Sequence, residues 1–68
     1  MRKFPEYTNS QVEHAIKEYI HSEKHRRILI RYLVDGLTYD ELAEEFDYSV
    51  RQISRIVYKC EQIIFKYI

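Results

Sequence analysis

Glycine, proline, cysteine and methionine each occur only once in these 68 residues, and tryptophan is missing. With a single glycine there is no phosphate-cradling glycine loop, which excludes nucleotide chemistry built on one. So few chain breakers, set against 46% apolar residues, exclude disorder and argue for a compact helical fold. A lone cysteine cannot close an internal disulfide, so nothing points to secretion. No apolar run approaches the ~18 residues that cross a bilayer, and no signal peptide is recognisable. A cytoplasmic chain with no membrane association is therefore expected. Net charge is also lacking, with 11 basic residues against 11 acidic ones, which at first sight argues against nucleic acid. Repeats, low-complexity tracts, flexible linkers and strand-like alternation are all missing.

What the chain does have is helix punctuation. Its length suits one domain, residues 1–68, whose core supplies only a few kcal/mol of net stability. Residues 36–58 read GLTYDELAEEFDYSVRQISRIVY. Thr38 with Glu41 forms one capping-box signature, and Ser49 with Gln52 forms a second. The two starts leave room for about two turns of helix and a short connection, the layout of a helix-turn-helix over about residues 38–59. Gly36 suits the left-handed position that closes a preceding helix.

Upstream, Phe4-Pro5 reads as an extended lead-in, since proline lacks a donor and restricts its predecessor. Ser10 with Glu13 offers a third capping box, followed by Val12, Ile16, Tyr19 and Ile20 at helical spacing. Ser22 fits the cap of a second helix carrying Ile28, Leu29, Tyr32 and Leu33; without that break the two would be one bent helix. The fold class expected is all-α, with four helices near 10–21, 23–35, 39–46 and 50–67.

The run IRYLVDGLTYDELAEEFDYSVRQISRIVYK resembles region 4 of bacterial sigma factors, and the small phage and mobile-element regulators that share its helix-turn-helix. The pattern is carried by Gly36, Leu37, Thr38, Tyr39, Asp40, Glu41, Leu42 and Ala43, then Ser49, Val50 and Arg51. It covers roughly residues 23–60. One departure stands out, because the turn position usually held by glycine is Asp47, a residue that tolerates a left-handed backbone. The resemblance implies a DNA-binding domain whose last helix reads the major groove. It does not extend to the promoter-melting parts of a sigma factor.

Charge is unevenly spread along the chain. Residues 1–34 hold seven basic and four acidic residues, residues 35–47 hold none and six, and residues 48–68 hold four and one. The acidic run reads as a solvated helix face, with carboxylates favoured in its first turn. On the last helix, Leu42, Ala43 and Phe46 of its neighbour meet an inner side made of Val50, Ile53, Ile56 and Val57. Ser49, Arg51, Gln52, Ser54, Arg55, Tyr58 and Lys59 then fall on or near the outer side. Arginine pairs bidentately with guanine and glutamine with adenine, so Arg51, Gln52 and Arg55 suit base reading. Thr38 and Tyr39, at a helix N-terminus, suit a backbone phosphate. With so few cations, phosphate affinity is expected to be modest.

The C-terminal helix is longer than base reading requires. Val50, Ile53, Val57, Cys60, Ile64 and Tyr67 recur at helical spacing, widened by Ile56, Ile63 and Ile68. The end of that stripe either packs on the N-terminal helix or forms a homodimer seam of Cys60, Ile63, Ile64, Tyr67 and Ile68, and the two can coexist. A dimer would double the phosphate contacts.

His14, His21, His25 and Cys60 do not assemble into a metal site, because Ser22 interrupts the histidines and no second ligand pair is present. Cys60 sits on the apolar stripe as a small hydrophobe, not as a nucleophile. No cofactor, catalytic residue or small-molecule substrate is expected. Two functions remain. One is a sequence-specific DNA-binding transcriptional regulator acting on double-stranded DNA. The other is a protein-interaction module for RNA polymerase, a sigma factor or another regulator.

Overall fold

Each helix begins where a short polar side chain satisfies the amides of the first turn. The structure, a computed structural model, describes residues 8–67, the side chain of Tyr67 excepted. The lead-in expected at Phe4-Pro5, and Ile68, lie outside the described residues. Four helices and no strand are found among the described residues: α1 (Asn9–Tyr19), α2 (Glu23–Leu33), α3 (Tyr39–Phe46) and α4 (Val50–Tyr67).

The cap of α1 differs from the sequence expectation. Thr8, not Ser10, is the N-cap: its hydroxyl accepts the Gln11 amide at 3.1 Å, and its own amide donates to Gln11 Oε1 at 2.9 Å. Two capping signatures overlap here, T-x-x-Q and S-x-x-E. The earlier one satisfies both groups and absorbs Asn9 and Ser10 into the first turn. The helix then stops at Tyr19, because Ile20 is extended and Ser22 takes over as N-cap of α2, accepting the His25 amide. The chain is thus broken at Ser22 and not bent. Arg26 secures the junction, donating from Nε to the Ile20 carbonyl and from Nη2 to that of Lys17. These are carbonyls that a helix end otherwise leaves without a partner.

Gly36 ends α2 in the expected way, with φ at +79°. The chain wraps back there, the Leu37 amide donating to the Arg31 carbonyl at 3.0 Å. Asp47 does the same for α3, at φ 61° and ψ 45°, with the Asp47 and Tyr48 amides both donating to the Ala43 carbonyl. The connection from α3 to α4 therefore takes three residues, 47–49, as the sequence spacing implies.

Every pair of helices packs together except α1 and α3. The core is a single cluster of Val12, Ala15, Ile16, Ile20, Ile28, Leu29, Leu42, Ile53, Val57, Cys60 and Ile64. Two expectations change here. Cys60 and Ile64 were candidates for a homodimer seam, yet they are 3% and 0% exposed within the single chain, so α4 uses them to hold α1 and α2. Of the remaining seam residues Ile63 is 37% exposed; Ile68 and the side chain of Tyr67 lie outside the described residues. Val50 is not on the inner side either, being 43% exposed. It precedes the first core contact of α4 at Ile53, and the opening turn projects past the edge of the core.

No helix among the described residues is long and apolar enough to cross a membrane.

Candidate nucleic-acid interface

Burial on one side of α4 dictates what stands on the other. Ile53, Val57, Cys60 and Ile64 are in the core. At 100° per residue that leaves Arg51, Arg55 and Tyr58 pointing outward on successive turns, flanked by Gln52 and Lys59. All five are exposed, as is Ser49; Ser54 is half-buried on the flank. Tyr58 is the most open of the large hydrophobic side chains among the described residues, at 66%. Among the described residues none of Arg51, Arg55 and Lys59 is held in an ion pair. Three cations thus face solvent along about two and a half turns, with no carboxylate before Glu61.

The start of this face is rigidly organised. Ser49 Oγ accepts the Gln52 amide at 3.1 Å and donates to Gln52 Oε1 at 3.2 Å, while the Ser49 amide donates to the same oxygen at 3.0 Å. The second capping box is therefore formed, and it changes the standing of Gln52. Adenine reading needs the carboxamide oxygen as an acceptor, and here that oxygen already accepts two hydrogen bonds. Gln52 is first a cap, with only its NH₂ group directed to other uses.

Thr38 and Tyr39 also combine structural duty with position. Thr38 Oγ1 accepts the Glu41 amide at 3.2 Å, and the Thr38 amide donates to Glu41 Oε1 at 2.8 Å. The Tyr39 ring is half-buried and stacks on Tyr32, with centroids 5.2 Å apart and planes inclined by 30°. Both residues remain at the N-terminus of α3, where the helix dipole favours an anion. An open groove of about 800 Å³ runs here, between the end of α2 and the starts of α3 and α4. Tyr32, Leu33, Leu37, Tyr39 and Val50 supply its apolar lining, and Thr38 and Asp40 its polar lining.

Asp40, Glu41, Glu44 and Glu45 are all exposed, the solvated face that the sequence suggests, yet two of them are also engaged. Glu41 is spent on its cap. Glu45 receives Arg31 from α2 in a fork, Nη2 to Oε1 at 2.9 Å and Nε to Oε2 at 3.1 Å, and Asp35 takes Arg31 Nη1 at 3.0 Å. Hydrogen bonds from Glu45 first, then Asp35, raise the guanidinium pKa. The Arg31–Asp35 pair has readable i,i+4 spacing; the Arg31–Glu45 pair spans 14 residues and carries no sequence signal. A second unforeseen contact sets Lys24 Nζ 4.8 Å from the centre of the Tyr48 ring, tying α2 to the connection before α4.

The histidines do not converge. His14 lies 3.9 Å from Glu18 on α1, His21 stands in the α1–α2 connection and His25 in α2. No cluster able to hold a metal occurs among the described residues. Burial pushes the Cys60 thiol pKa up, which keeps it protonated and unreactive at neutral pH.

Compared with known proteins, the chain matches no family model, no curated protein and no solved structure.

Proposed function

We propose that this chain is a sequence-specific DNA-binding regulator of transcription, with α3 and α4 as a helix-turn-helix and α4 entering the major groove. The observation that carries the reading is the outer face of α4. Arg51, Arg55 and Lys59 stand exposed on it without acidic partners, directly after a tight left-handed connection at Asp47. Arg51 and Arg55 are the base readers, Lys59 a phosphate contact, and Tyr58 and Ser54 flank them. Ser49, Gln52 and Thr38 shape the two helix starts and lie within reach of the sugar-phosphate backbone. The likeness of residues 23–60 to sigma factor region 4 supports the same reading.

The test is a mobility shift with a pool of random duplexes at two salt concentrations. One sequence class should be retained, and log affinity should fall against log salt with a slope of about −1, as for the one phosphate that Lys59 neutralises. Arg51→Ala or Arg55→Ala should cost about 1–3 kcal/mol on the preferred sequence, whereas Lys59→Ala should weaken all sequences alike.

A second reading rests on the apolar groove beside acidic α3, which suits a protein partner such as RNA polymerase, a sigma factor or another regulator. Absence of any shift at low salt would select it over DNA binding.

A further inference from the structure

Val50 has the spacing of a core residue but the exposure of a surface one. It opens α4 with 43% of its surface exposed, directly after the Ser49 cap and before Arg51. A valine offers no hydrogen bond to a phosphate or a base edge. The group complementary to it on a duplex is the one apolar substituent of the major groove, the C5-methyl of thymine. We propose that Val50 is a specificity-determining residue that packs on a thymine methyl at one position of the bound sequence. The proposal rests on the DNA-binding reading above.

Three features support it. The N-terminal residues of a reading helix are those that meet base edges, and Val50 is the first residue of α4. Arg51, the next residue, is exposed on the same first turn of α4 and attracts a polyanion to this end of the helix. The Ser49–Gln52 bonds and the stiff χ1 of a β-branched residue in a helix hold the two methyl groups in a defined place.

The experiment uses the full chain and the best-bound duplex from the random pool. Each thymine is replaced singly by deoxyuridine, which pairs identically but lacks the methyl group. At one position wild-type affinity should fall about fourfold, the worth of one buried methyl-sized group. Val50→Ala should bind the thymine and uridine duplexes equally, while Arg51→Ala should bind more weakly but keep the fourfold ratio. If the wild type selects a sequence yet is indifferent to uridine everywhere, the Val50 proposal is wrong and the DNA reading stands. If no sequence is selected at all, both fall. If the fourfold ratio persists in Val50→Ala, or in Val50→Ser should the alanine variant not fold, another residue meets the methyl and the Val50 proposal is wrong.

Discussion

At the scale of single residues, two left-handed positions have opposite prospects. Gly36 sits at φ +79°, and a Cβ added there would meet nothing within 4 Å. Space is therefore not the constraint; the backbone angle is. Gly36→Ala should lower stability by about 1 kcal/mol through the strain of an L side chain at positive φ. Asp47 already bears that strain at φ 61°. Asp47→Gly should raise stability by up to about 1 kcal/mol. Urea unfolding followed by circular dichroism reads both, and a loss at Asp47→Gly would mean that the aspartate side chain supplies an interaction outweighing its backbone.

At the scale of helices, the caps decide where each element begins. Removing the Ser49 hydroxyl strips α4 of the acceptor for the Gln52 amide, so Ser49→Ala should cost about 1 kcal/mol. Gln52→Glu separates folding from reading. A carboxylate still accepts the Ser49 amide and suits the positive end of the helix dipole, so thermal stability should hold or rise. DNA binding should nevertheless weaken, because the new charge faces phosphate. Melting and shift assays on one sample decide it, and parallel loss of both would show that Gln52 has no separable role at the surface. Caps are also why the helix boundaries were legible: T-x-x-E at Thr38, S-x-x-Q at Ser49 and the Ser22 break act within one turn, so local spacing suffices. Legibility failed at Thr8 because two signatures overlapped two residues apart, and at Val50 because periodicity gives a direction but not where the core ends. Arg31–Glu45 and Lys24–Tyr48 were invisible for another reason. Their partners are chosen by how helices pack, which no local pattern encodes.

At the scale of the whole molecule, neighbouring isoleucines on α4 should behave in opposite ways. Ile64 is 0% exposed and Ile63 is 37% exposed. Fully burying an isoleucine is worth about 1.5–3 kcal/mol, and burying a lone charge in its place adds a further penalty, a large fraction of a small domain's reserve. Ile64→Asp should unfold the chain at room temperature. Ile63→Asp should leave it folded, with stability changed by about 0.5 kcal/mol or less. Sedimentation of wild type and Ile63→Asp adds the answer on self-association: a drop in apparent mass in the variant alone would make Ile63 part of a dimer contact. A folded Ile64→Asp protein would show that α1 does not depend on that end of α4.

The hold of Arg26 on the end of α1 has a consequence in time. An isolated 11-residue helix is marginal in water, and among the described helices α1 packs on α2 and α4 but not on α3. Its persistence depends on neighbours and on one guanidinium bridging the Ile20 and Lys17 carbonyls. Opening should then be graded: α1 detaches as a unit and returns many times before α3 and α4 separate. Amide hydrogens of Ile16 through Ile20 should exchange with deuterium sooner than those of Ile53 through Cys60. Arg26→Met keeps the aliphatic stem but releases the carbonyls, and it should widen that gap by hastening α1 while the α4 amides keep their rates. Equal acceleration in both helices would mean that the four helices open together, and that Arg26 guards the whole fold instead of its first helix.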